Sequence, residues 1–306
     1  MGNCCEPAEK PLKPLPPKIF NLSETLTGHE ENITCLIELD NSQIVTGSND
    51  GEIKIWNLQD LKCEKTLKTE GKIFCMLEFE PNKLLIGGSS NDIQLWDLND
   101  NSNKSVYTFT GHEYWVNNLV KCDESNFASS SSDEIRIWDY NERKCVNILN
   151  NDEINIMSLV LLNNGKICSG DINSTIKAWD WKNKDCETIY QGQNGFVKCL
   201  CQLKNGDIVS GFDDGSIKVW KNDNIIDDLK GHKKAVRYIC QIDDELIASA
   251  SFDNNIKIWN LNKKSREQTL KGHTDFVTGV ILHSMGDLIS CSNDKTIKIW
   301  RRVPKS

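Results

Sequence analysis

Nowhere in the 306-residue chain do eighteen apolar residues follow one another, so a membrane-spanning helix is excluded. The polar, proline-bearing N-terminus likewise lacks the apolar core of a secretory signal, and the chain is expected to stay on the cytosolic side. Basic residues fall short of acidic ones, 36 against 44, for a net charge of −8. That balance argues against a nucleic-acid partner, because neutralising phosphates needs a clustered excess of Lys and Arg. Histidine is scarce at five residues, which leaves little material for acid–base catalysis near neutral pH. The thirteen cysteines contain no CxxC pair, so neither a disulfide framework nor a structural zinc site is indicated. Cys35, Cys75, Cys199 and Cys240 fall in strand-like apolar runs and read as reduced thiols acting as small hydrophobes. There is no phosphate-cradling glycine-rich loop and no nucleophile elbow. No catalytic residue, cofactor, metal or small-molecule substrate is expected.

What the chain does have is a period. Trp56, Trp96, Trp138, Trp179, Trp220, Trp259 and Trp300 recur at intervals of 39 to 42 residues. Such an interval with one tryptophan per unit is the mark of four-stranded propeller blades, whose faces must stack to be buried. Most of these tryptophans end a short alternating run, such as Ile53-Lys54-Ile55-Trp56 or Ile256-Lys257-Ile258-Trp259, as a half-buried strand does. A turn such as Asn49-Asp50-Gly51 precedes the run, and another strand precedes the turn. The expected fold is all-β: a seven-bladed propeller of four-stranded antiparallel blades over residues 18–303, after a 17-residue N-terminal tether.

Gly28-His29, Gly111-His112, Gly231-His232 and Gly272-His273 place a histidine 26 or 27 residues before a tryptophan, and Asp97, Asp139 and Asp180 directly follow Trp96, Trp138 and Trp179. On these residues the chain resembles the WD-repeat (WD40) family. The resemblance implies hydrogen-bonded tetrads inside blades: His29, Thr46, Asp50 and Trp56; His112, Ser129, Asp133 and Trp138; His232, Ser249, Asp253 and Trp259; His273, Ser290, Asp294 and Trp300. An indole, a hydroxyl, an imidazole and a carboxylate satisfy one another when buried. The pattern is uneven: Thr69 and Ser90, Asp152 and Asn173, and Gln193 stand where His or Asp is expected. The fifth histidine, His283, belongs to no tetrad and reads as a solvated loop residue, and turn chemistry accounts for the paired Asp213-Asp214 and Asp243-Asp244.

Only six residues follow Trp300, too few for the outer strand that follows every earlier tryptophan. The segment from Lys18 to Leu26 is therefore expected to pair with the last blade and close the ring, removing exposed edges.

The family resemblance also implies that a partner contacts the rim of the central channel. Two clusters result: Phe74, Tyr114, Trp115 and Met157 over blades 2 to 4, and Lys198, Lys233, Lys234, Arg237 and Phe252 over blades 5 and 6. Exposed aromatic, Met and Arg side chains are the types enriched at binding hot spots. The basic cluster suits an acidic or phosphorylated peptide. The expected function is a non-catalytic protein-interaction scaffold or adaptor. The alternatives are a substrate-recognition subunit of a ubiquitin ligase or similar complex and, less favoured, a propeller enzyme.

Five of the seven prolines lie between Pro7 and Pro17, an extended spacer that also contains two P-x-x-P patterns. Ahead of it, Met1-Gly2-Asn3-Cys4-Cys5 resembles dually acylated N-termini: myristate on Gly2 and palmitate on Cys4 or Cys5. One acyl chain binds membranes marginally and two bind stably, so the expectation is a peripheral protein on the cytosolic face of a membrane.

Overall fold

The structure, a computed structural model, describes residues 18–132, 134–150, 155–191, 195–221 and 224–304. These residues form seven four-stranded antiparallel sheets arranged as the blades of a propeller. Blade 1 is Ile33–Glu38, Ile44–Ser48, Glu52–Asn57 and Lys62–Lys68, from the channel outward. Blades 2 to 6 repeat the order, and blade 2 ends on a three-residue outer strand, Tyr107–Phe109.

Blade 7 is assembled from both ends of the described chain. Its inner strands are Val277–Leu282, Leu288–Ser292 and Ile297–Pro304, and its outer strand is Lys18–Leu26. The ladder runs from Lys18 opposite Pro304 to Leu26 opposite Ile297, with a bulge between Leu22 and Glu24. The N-terminal strand thus closes the ring, as expected.

The core lies between blades. Val45, Ile53 and Leu67 of blade 1 pack on Ile73, Leu84 and Trp96 of blade 2, and equivalent clusters fill the other gaps. Stacking corrects one reading of the pattern. The third strand alternates Ile and Lys like a half-buried strand, yet Lys54, Lys257 and Lys298 are buried too. A blade covers each face, and each ammonium is satisfied by the hydroxyl of a Thr on the adjoining outer strand, Thr66, Thr269 or Thr25, at 3.0–3.4 Å.

Side chains of the inner strands stitch one blade to the next. Thr278 Oγ1 donates to the Ile33 carbonyl at 2.6 Å, Thr34 Oγ1 to Ile73, Asn118 Nδ2 to Met157 at 3.0 Å, and the Cys75 and Cys199 thiols to Val116 and Val236. At the junction of blades 4 and 5 the equivalent hydroxyl, Ser158 Oγ, is buried without a partner. Burial pushes the thiols of Cys35 and Cys199 up to about 12, so they remain protonated and apolar as the sequence suggests.

His283 corrects its sequence reading. It is 3% exposed, its Nε2 donates to the Ser42 carbonyl of blade 1 at 2.9 Å, and its Nδ1 accepts the Met285 N–H at 3.2 Å. A lone histidine with no motif is solvated by default, but here the closed ring brings blade 1 over it.

Candidate interaction face

The Gly-His segments and the Asp turns of the blades lie on one face, and the tetrads fix it. In blade 6 Ser249 Oγ bonds His232 Nε2 at 2.7 Å and accepts the Trp259 indole N–H at 2.8 Å, and His232 Nδ1 bonds Asp253 at 2.9 Å. Blade 7 repeats this with Ser290, His273, Trp300 and Asp294 at 2.8, 2.9 and 2.8 Å. Each Asp also caps backbone N–H groups, of Lys233 and Asn255 in blade 6 and of Thr274 and Thr296 in blade 7. Burial alone would raise Asp253 and Asp294, but the histidine together with the backbone and side-chain donors around each carboxyl outweighs it and holds both well below the usual range.

Blade 1 departs from the expected tetrad. His29 Nε2 bonds Thr46 Oγ1 at 2.7 Å and Trp56 donates to the same oxygen at 2.8 Å, but His29 Nδ1 is buried without a partner. The Asp50 carboxylate accepts the Glu52 N–H at 2.7 Å instead, and the second nearby acid, Glu52, is held by Lys54 at 3.0 Å. Burial and the Lys54 charge lower the His29 pKa to about 4. In blade 3, His112 Nε2 bonds Ser129, which also accepts the Trp138 N–H, and His112 Nδ1 bonds Glu134 at 2.9 Å. Glu134 was not picked out by sequence reasoning, and Asp133 lies outside the described residues. In blades 4 and 5 the indoles of Trp179 and Trp220 donate to Ser169 and Ser210, whereas in blade 2 Trp96 turns to Gln94 at 3.0 Å.

Of the first rim cluster, the structure brings Phe74 and Trp115 together with ring centroids 5.5 Å apart. Trp115 and Tyr114 are 57% and 52% exposed, and the Met157 side chain is half-buried. In the second cluster Lys233 and Lys234 are exposed, and Lys198 and Arg237 are half-buried at the channel mouth. Burial and the neighbouring Arg237 charge lower the Lys198 pKa. Phe252 stacks on Phe276 at 4.6 Å, and Lys234 Nζ lies 5.0 Å from the Phe276 ring centre. Lys198 Nζ sits 5.1 Å from the ring of Phe196, itself exposed.

Phe196 and Phe276 were missed, although a signal existed. Both stand where Trp115 stands in its repeat, three residues after the His position held by Gln193, His273 and His112. Trp115 stands out as a tryptophan outside the repeat interval, and a single phenylalanine does not. Tyr238, in the channel wall, was missed as well. Among the described residues no group of three or more His, Cys, Asp and Glu could hold a metal. Gly2, Cys4 and Cys5 lie outside the described residues, as do Asp152 and Gln193.

This arrangement defines a WD-type propeller. The family WD domain, G-beta repeat matches residues 20–57, 103–139, 184–221, 224–260 and 264–301, and the chain belongs to that family. The unmatched stretches carry the second and fourth tryptophans, in blades without the Gly-His pair. The WD40 β-propeller domain of Doa1 superposes with a TM-score of 0.81 over 92% of this chain and 97% of that one, at 24% identity. The DENN domain and WD repeat-containing protein SCD1 of Arabidopsis thaliana is 21% identical over 128 residues, 42% of this chain and 11% of that protein. A probable E3 ubiquitin ligase complex SCF subunit, scon-2 of Neurospora crassa, is 50% identical over 42 residues, 14% of this chain and 6% of its own length. This chain therefore matches only a small part of either curated relative. A WD40 propeller of this kind is generally a non-catalytic scaffold for protein interaction.

Proposed function

We propose that this chain is an adaptor whose Gly-His face holds an acidic or phosphorylated segment of a partner protein while an acylated N-terminus keeps the propeller on the cytosolic surface of a membrane. The observation that carries the reading is the juxtaposition of Lys198, Arg237, Lys233 and Lys234 with the stacked Phe252 and Phe276 on a protein of net charge −8. Cations give steering and charge-assisted bonds to an acidic segment, and the aromatic pair supplies apolar contact beside them. Phe74 and Trp115 offer a second anchor on the same face. The tether rests on Met1-Gly2-Asn3-Cys4-Cys5 alone.

A second reading, substrate recognition within a ubiquitin ligase, is favoured by the 42-residue likeness to the SCF subunit. It uses the same face. The test of the platform is affinity capture from native lysate with wild type and an Arg237→Ala, Phe252→Ala variant. Partners held by the wild type are lost from the variant, and unchanged recovery of every partner removes this surface from consideration.

A further inference from the structure

The central channel carries charge of one sign only. Its cavity of about 680 Å³ reaches all seven inner strands, and its described lining includes Lys198, Lys204 and Arg237 but no carboxylate. In an acidic chain that is a local inversion. Lys198 and Arg237 hold the same repeat position in consecutive blades, one residue after Val197 and Val236, and stand close enough for each charge to act on the other. Arg237 lines the cavity, and its charge also acts on the thiols of Cys35, Cys75, Cys199 and Cys291 in four other blades.

Two neighbouring cations repel unless an anion lies between them. Neither makes an ion pair or a hydrogen bond with any described residue. The carboxylate that acts on Lys198, Asp213, accepts the Phe196 N–H at 2.8 Å and is not paired with the ammonium. One residue deeper, Tyr238 lines the channel at 38% exposure, and its hydroxyl also has no partner among the described residues. An ammonium, a guanidinium and a phenol thus line one cavity without a hydrogen bond or ion pair to a described residue, the ammonium resting only near the Phe196 ring.

We propose that the channel mouth is an anion site that takes a phosphate-bearing group between Lys198 and Arg237, with the Tyr238 hydroxyl as a further donor. A planar guanidinium binds two phosphate oxygens at once and an ammonium adds a point charge, so a dianion uses both where a carboxylate uses one. The site shares Lys198 and Arg237 with the proposed partner face and to that extent rests on that reading. The phosphate has two possible sources, a phosphorylated side chain of a partner or a free polyphosphate.

Calorimetry on the full chain tests it with two probes: inorganic pyrophosphate, and a degenerate peptide pool with a fixed central phosphoserine beside its unphosphorylated counterpart. Saturable binding of either phosphate probe is expected, weakened about tenfold or more by Lys198→Gln or Arg237→Gln and a few-fold by Tyr238→Phe. Lys62→Gln, which makes the same charge change on the outer strand of blade 1, leaves binding unaltered. Tighter binding of the phosphopeptide pool assigns the source to a partner protein, and tighter binding of pyrophosphate assigns it to a free polyphosphate. Absence of binding by the folded wild type, or equal binding by the Lys198 and Arg237 variants, overturns the site. If capture of partners still depends on Phe252 in that case, the platform reading stands without it.

Discussion

The side-chain amide of Gln268 pairs with both backbone groups of Phe20: its Nε2 donates to the Phe20 carbonyl at 2.6 Å, and its Oε1 accepts the Phe20 N–H at 2.9 Å. Phe20 belongs to the outer strand of blade 7 and Gln268 to that of blade 6, so the closing strand is fastened to its neighbour as well as to its own sheet. Arg302 to Asp243 makes a second bridge between the same blades. Replacing Gln268 with Ala is expected to cost about 1–2 kcal/mol in urea denaturation, since two buried-side backbone groups lose partners.

Removing residues 1–26 takes away the closing strand with the burial of Phe20 and Leu26, worth about 1.5–3 kcal/mol each, and leaves Ile297–Pro304 as an open edge. The truncated protein is expected to melt far below the full chain. A melting point within a degree or two of wild type would show that the ring holds without its N-terminal strand.

The tetrads of blades 1 and 6 are unequal, and paired substitutions read the difference. Asp253→Ala strips partners from His232, Lys233 and Asn255 and is expected to destabilise by about 2–3 kcal/mol. Asp50→Ala gives up the turn bond to Glu52 and is expected to cost about 1 kcal/mol or less. Equal costs would mean that Asp50 reaches His29 in solution.

His29 makes stability depend on pH. Its folded pKa, about 4, lies below the unfolded 6.5, so the unfolded chain binds the proton first. Stability from this residue is whole above pH 6.5 and is lost as pH falls toward 4, by about 2 kcal/mol at pH 5. Denaturation at pH 7 and pH 5 should show wild type losing about that much more than His29→Gln. Asp253 and Asp294 act in a lower window: their depressed carboxyls contribute above the unfolded Asp value, and that contribution is lost only in strong acid.

The tether is tested by fractionation of wild type beside Gly2→Ala and a Cys4→Ser, Cys5→Ser double variant. Wild type is expected in the membrane pellet, Gly2→Ala in the soluble fraction, and the double variant largely soluble, because a single myristoyl chain binds only marginally. A soluble wild type, or variants that pellet as fully as it does, would exclude the anchor.

The sequence by itself determined the number of blades, their boundaries and the swap that closes the ring. Seven tryptophans at one interval call for seven blades, and the strand-like segment Lys18–Leu26 ahead of the first Gly-His supplies the outer strand of the last. Both are local properties: each Trp, turn and Gly-His belongs to its own blade and is written within about 40 residues. Which contacts form between blades, and what faces the channel, only the tertiary structure decided. His283 meets Ser42 across 241 residues and Gln268 meets Phe20 across 248, with no pattern to announce either. Glu134 takes both His112 and Arg136, while Glu52, at the same repeat position, pairs with Lys54 alone and leaves His29 Nδ1 without a partner, a difference that no repeat pattern announces. Lys198 and Arg237 become neighbours because stacking lays equivalent positions of adjacent blades side by side, and Phe252 meets Phe276 because the Asp turn of blade 6 comes beside the Gly-His segment of blade 7. A repeat period fixes which position faces the channel, but the chemistry there depends on the residues of several blades at once.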